Sequence, residues 1–91
     1  MTEPTYVDGN AAAGAFASVL GFDVTTATLT CAGCGGEEAF AESHVYQRAP
    51  GIVLRCADCD HILARLAHTR TDVWLDLSGA LSWRVPRPTA S

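Results

Sequence analysis

The chain contains no lysine; its six basic residues are all arginines (Arg48, Arg55, Arg65, Arg70, Arg84 and Arg87). With abundant alanine, glycine and arginine, that absence reflects a GC-rich genome more than a function. A basic stripe is missing too. Ten acids against six arginines leave a formal net charge of −4, and residues 1–47 hold six acids and no base. Nucleic-acid binding draws mainly on phosphate neutralisation, so this balance argues against it. No run approaches the roughly 20 apolar residues of a membrane span. Met1-Thr2-Glu3-Pro4 is acidic where a secretory signal is basic, and the alanine-rich stretch that follows is broken by Gly14 and Ser18. The expected location is the cytoplasm, with no membrane partner. Catalytic sets are also lacking. The serines have no nucleophile-elbow context, there is no phosphate-binding loop, and Glu37-Glu38 reads as a solvated turn. Neither an enzyme nor a small-molecule substrate is expected.

What the chain does have is four cysteines in two matched pairs. Cys31-Ala-Gly-Cys34 and Cys56-Ala-Asp-Cys59 are separated by 21 residues. Four thiolates at that spacing can close one tetrahedral metal site, and Zn2+ is the expected ion, with Fe the less favoured one. In a reducing compartment thiolates persist, which favours metal over disulfides. A fully thiolate shell has no open position for water or substrate, so the site is expected to be structural. Its binding free energy, on the order of 10 kcal/mol or more near neutral pH, becomes folding free energy. The two loops also match each other: Asp60 after Cys59 stands where Gly35 stands after Cys34, and both slots favour a residue tolerating positive φ. His44, His61 and His68 are read as non-ligands, with His68 a packed core residue.

Along the chain, residues 1–7 read as a loose tail. Asp8 is the expected N-cap of a helix over 10–20, with Ala11, Ala12, Ala15, Phe16, Val19 and Leu20 as its apolar stripe and Gly21 closing it. Phe22 to Thr30 reads as extended, and Ala39 to Arg48 as a strand broken near Ser43. Ala49-Pro50-Gly51 signals a turn. Ile62 to Thr69 alternates, with Ile62, Ala64 and Leu66 on one side and Leu63, Arg65 and Ala67 on the other. Val73, Leu75 and Leu77 alternate with Trp74 and Asp76, Ser78-Gly79 turns, and Leu81 to Val85 is a last short strand. Trp74 and Trp83 read as core or edge packing. The expected architecture is a small, metal-stapled, mainly-β fold: a zinc ribbon of short antiparallel strands with one N-terminal α-helix. Its divisions are a tail (1–7), the helix (8–21), the ribbon (22–85) and a disordered C-terminal tail (86–91).

The knuckles Cys31-Ala-Gly-Cys34-Gly35 and Cys56-Ala-Asp-Cys59-Asp60 resemble the zinc ribbon superfamily, which includes the rubredoxin-like proteins. A longer pattern adds to this: Tyr6-Val7-Asp8-Gly9-Asn10-Ala11, Phe22-Asp23-Val24-Thr25, Val45-Tyr46, Arg48-Ala49-Pro50-Gly51, Arg55-Cys56 and Trp74-Leu75-Asp76-Leu77. It resembles a family of short actinobacterial zinc-ribbon proteins to which no activity is assigned. That resemblance implies proximity to molybdopterin- and flavin-dependent oxidoreductases, and so a small accessory subunit. Three functions follow. The first is a structural ribbon acting as a protein-interaction module, its partner held by helix 10–20 or by the ribbon face. The second is single-iron electron transfer as in rubredoxins, although these loops lack the aromatics and proline of rubredoxin knuckles. The third is nucleic-acid or ribosome binding through Arg48, Arg55, Arg65 and Arg70.

Overall fold

The computed structural model describes residues 6–48 and 51–87. Strand β1 (Val7–Asp8) leads into helix α1 (Asn10–Leu20). Strands β2 (Thr28–Cys31) and β3 (Glu37–Ala39) form the first hairpin, and a 3-10 turn (Phe40–Glu42) follows. Strands β4 (His44–Arg48), β5 (Gly51–Arg55), β6 (Ile62–His68), β7 (Val73–Asp76) and β8 (Ala80–Arg84) complete the chain. All pairings are antiparallel, in a five-stranded sheet ordered β1-β4-β5-β6-β7 and a three-stranded sheet ordered β3-β2-β8. The fold is therefore mainly β with one helix.

Several local expectations change for physical reasons. The N-cap of α1 is Gly9, not Asp8. Asp8 lies in β1 and its carboxylate still accepts the Asn10 N–H at 3.1 Å, so it satisfies a free helical donor from one position further out. Glycine is required at position 9 because an added Cβ would sit 1.8 Å from the Phe40 carbonyl oxygen. Nor are residues 6 and 7 loose. Val7 pairs with Val45, and the Tyr6 ring stacks on His44 at 3.8 Å. Residues 1–5, 49–50 and 88–91 lie outside the described residues, so the loop around Pro50 and most of the expected terminal tails do too.

Between Phe22 and Ala27 the chain turns, because the Asp23 carboxylate accepts both the N–H (2.9 Å) and the hydroxyl (2.6 Å) of Thr25. Only Thr28–Cys31 is strand. The break expected near Ser43 is wider, spanning the whole 3-10 turn. Strand β6 does not alternate simply. Leu54 pairs with Ala64 and Arg55 with Ile62, which leaves Leu63 unpaired in a bulge. Leu63 and Ala64 are consequently both buried. His68 is exposed at the strand end rather than packed in the core.

Helix α1 closes the core with Ala12 and Phe16, while Ala11 and Val19 face outward. Phe16 meets Phe40 edge-on at 5.5 Å, and Trp83 of β8 packs on both rings at 6.3 and 5.7 Å. The helix thus docks on its own ribbon. This aromatic trio joins α1, the 3-10 turn and the small sheet, and Trp83 is paired with the buried Leu29. Trp74, in contrast, is 67% exposed on the edge strand β7. Truncating Phe40, which is fully buried at the centre of the trio, removes the contact that all three elements share. Phe40→Ala is expected to cost about 3–5 kcal/mol in denaturant unfolding of the metal-loaded protein.

Candidate metal centre

Each cysteine pair occupies the turn of a hairpin, β2–β3 for the first and β5–β6 for the second, and the two turns are built alike. In the first, the Cys31 N–H donates to the Gly36 carbonyl and the Gly35 N–H to the Cys31 carbonyl, both at 2.9 Å. In the second, the Cys56 N–H donates to the His61 carbonyl and the Asp60 N–H to the Cys56 carbonyl, again both at 2.9 Å. The residue after each pair is left-handed: Gly35 has φ +75° and Asp60 has φ +68°, the single non-glycine positive φ among the described residues. The equivalence expected of these slots holds in the backbone itself.

The bend turns N–H groups onto sulfur. Gly33 donates to Cys31 Sγ at 3.2 Å, the Cys34 N–H points at the same sulfur, and the Asp58 and Cys59 N–H groups point at Cys56 Sγ. All four sulfurs lie within 4.8 Å of one another. Two close approaches cross between knuckles, at 3.6 Å for Cys31–Cys59 and 3.9 Å for Cys34–Cys56. A tetrahedron with metal–sulfur bonds of about 2.3 Å has edges of about 3.8 Å, so the cluster has the dimensions to hold one metal ion. These separations are far beyond a disulfide bond of about 2 Å. Each knuckle supplies one buried sulfur (Cys31, Cys56) and one exposed sulfur (Cys34, Cys59). No histidine joins the cluster among the described residues.

Three contacts outside the cysteines brace the knuckles, two of them running from one knuckle to the other. The Glu38 carboxylate accepts the Ala57 N–H at 3.2 and 3.3 Å and lies 3.5 Å from Cys56 Sγ, so the first hairpin grips the second loop. The expected solvated turn at Glu37-Glu38 is therefore wrong for Glu38, although Glu37 is exposed and pairs with Arg84 at 3.4 Å. The signal was the register: Glu38 pairs with Leu29, a core residue, and so shares its inward side. The His61 ring lies over Gly33, where an added Cβ would come within 2.8 Å of it. The Ala32 N–H donates to the Gly79 carbonyl at 3.0 Å, which ties the first knuckle to the turn before β8. Arg55 adds a clamp within the second loop, donating to the Asp60 carbonyl at 2.9 Å.

Comparison with known proteins finds a match over residues 3–88 to a group described as "Family of unknown function (DUF6510)". The chain belongs to this family. No curated protein and no solved structure matches it. Within this DUF6510 chain, no described helix is long and apolar enough to cross a membrane.

The thiols differ in acidity. Burial pushes Cys31 up, but the Cys34 and Gly33 N–H groups and the neighbouring thiols outweigh it, leaving it below the ordinary thiol value. Burial dominates at Cys56 and pushes it up to about 12. At neutral pH the metal-free Cys56 therefore keeps its proton, and an incoming divalent ion must displace it. Metal affinity is expected to rise with pH across the range from about 6 to 8, with proton release measurable by adding metal to weakly buffered apoprotein. Uptake without proton release would contradict this. A second expectation concerns the left-handed slots. Nothing crowds Gly35, so Gly35→Ala should cost only the left-handed penalty, about 1–2 kcal/mol in thermal unfolding. Gly35→Asp, which copies the second knuckle, should cost less than Gly35→Ala.

Proposed function

We propose that Cys31, Cys34, Cys56 and Cys59 are the four ligands of a single structural Zn2+. On this reading the chain is a non-catalytic, cytoplasmic member of the zinc ribbon superfamily. It works as a protein-interaction module or small accessory subunit, with an oxidoreductase complex as one setting. The observation that carries the metal assignment is the sulfur cluster: four thiolates complete a tetrahedral shell and leave no position for a reacting ligand. With the ion bound, these residues fix the two hairpins against each other. Glu38 and the N–H groups of the knuckles orient the sulfurs they touch. A protein partner is supported by exposed apolar side chains, Val19 and Phe22 at the end of α1 and Leu81 on β8.

Elemental analysis of freshly isolated protein is expected to return one zinc per chain and no colour; a red protein would carry iron and shift the reading to electron transfer. Stripping the ion with a chelator is expected to abolish most of the strand signal in circular dichroism, because the ion's binding energy is folding energy. Unchanged ellipticity after complete removal would defeat the structural role. A pull-down from native cells with mass spectrometry, run on loaded and stripped protein, tests the partner: a defined complex requires the loaded form.

A further inference from the structure

The four sulfurs are not equivalent. Cys34 and Cys59 are exposed, whereas Cys31 and Cys56 are buried. Of the exposed pair, Cys34 has the barer surroundings. Residues 33, 35 and 36 are all glycine, so its immediate neighbours offer no side chain to screen it, while Cys59 is followed by Asp60 and His61. A Cβ placed on Gly36 would stand 3.5 Å from Cys34 Sγ, so the uncovered approach runs up to the sulfur itself. An oxidant in solvent therefore reaches Cys34 first.

Each exposed sulfur also touches a buried one on the opposite hairpin. Cys34 lies 3.9 Å from Cys56, and Cys59 lies 3.6 Å from Cys31, so two contacts use every cysteine once. The shared core around Cys31 and Cys56, the Glu38–Ala57 hydrogen bonds and the His61–Gly33 contact hold the knuckles face to face, which keeps each pair in reach while a bond forms. We propose that the cluster is a redox-responsive site: a hydroperoxide converts it to two disulfides, Cys34–Cys56 and Cys31–Cys59, which free the ion and staple the same hairpins in its place. The proposal rests on the zinc reading above and adds to it what the site reacts with. The Cys34 thiolate attacks the hydroperoxide and the O–O bond breaks. Sulfur takes the hydroxyl as a sulfenic acid, and the departing alkoxide or hydroxide is protonated. The Cys56 thiolate then attacks the Cys34 sulfur; the S–S bond forms, the S–O bond breaks and the hydroxide that leaves becomes water. Cys59 and Cys31 repeat both steps. Two hydroperoxides are reduced, four thiolates are oxidised and four protons are taken up per chain. Disulfides spanning 22 and 28 residues constrain the unfolded chain far more than bonds inside each knuckle would. Oxidation thus costs the ion and spares the fold. In a reducing compartment such bonds are transient, as a sensing site requires.

The test adds hydrogen peroxide to protein whose zinc content has first been measured, so a chain without zinc defeats the earlier reading before this one is tried. Zinc release is followed with a metallochromic dye and strand content by circular dichroism. Trypsin cleavage at Arg48, Arg55 and Arg65 puts the two cysteine pairs on separate peptides. Full oxidation is expected to release all the zinc and to leave the polypeptide about 4 Da lighter than its reduced, metal-free form. The two cysteine peptides should then appear linked in non-reducing mass spectrometry. The strand signal should stay near that of loaded protein and well above that of chelator-stripped protein. After partial oxidation, alkylation of the singly linked species should label Cys31 and Cys59. Dithiothreitol with added zinc should restore the starting state. Gly36→Val, which covers Cys34, should slow zinc release by about twofold or more. Unlinked peptides, whether from disulfides within a knuckle or from sulfinic acids, overturn the proposal. So does a fall of the strand signal to the stripped level, and so does retention of zinc in excess peroxide.

Discussion

Everything in this molecule depends on two hairpin turns bringing four sulfurs to within 4.8 Å of one another. That arrangement is unfavourable by itself. Thiolates repel at such distances, and thiols at such distances gain little. A divalent ion reverses the sign, leaving −2 where four thiolates alone would carry −4. The backbone is prepared for the negative charge before any ion arrives. N–H groups at the second and third positions after Cys31 and after Cys56 already point at sulfur. The left-handed residues at 35 and 60 go with this closure: the N–H of each donates to the carbonyl of the first cysteine in its pair at 2.9 Å.

The site is a wall of the core and not an attachment to it. Cys31 and Cys56 are buried in the same cluster as Leu29, Leu54 and Leu63. Without an ion, two thiols face apolar side chains, and the two hairpins meet through that shared core, the Glu38–Ala57 hydrogen bonds and the His61–Gly33 contact. Hydrogen bonds of this kind contribute about 1 kcal/mol each, whereas an ion in a tetrahedral thiolate shell contributes on the order of 10 kcal/mol. On that scale a bound ion would outweigh the hydrogen bonds between the knuckles. The aromatic trio of Phe16, Phe40 and Trp83 decides where the helix lies on them.

Much of this was legible in the cysteine spacing, because a C-x2-C pair dictates its own backbone. The slot shared by Gly35 and Asp60 is visible in the letters, and so are the helix over 10–20 and the mainly-β class. What sequence reasoning missed depends on partners distant in the chain. Glu38 looks solvated until the hairpin register sets it beside Leu29. Leu63 looks like an outward residue until the bulge in β6 turns it inward. His68 looks like a core residue by its neighbours, yet it is exposed at the end of β6. At Asp8 the residue was right and the position one step out, because Gly9 had to pass against the Phe40 carbonyl.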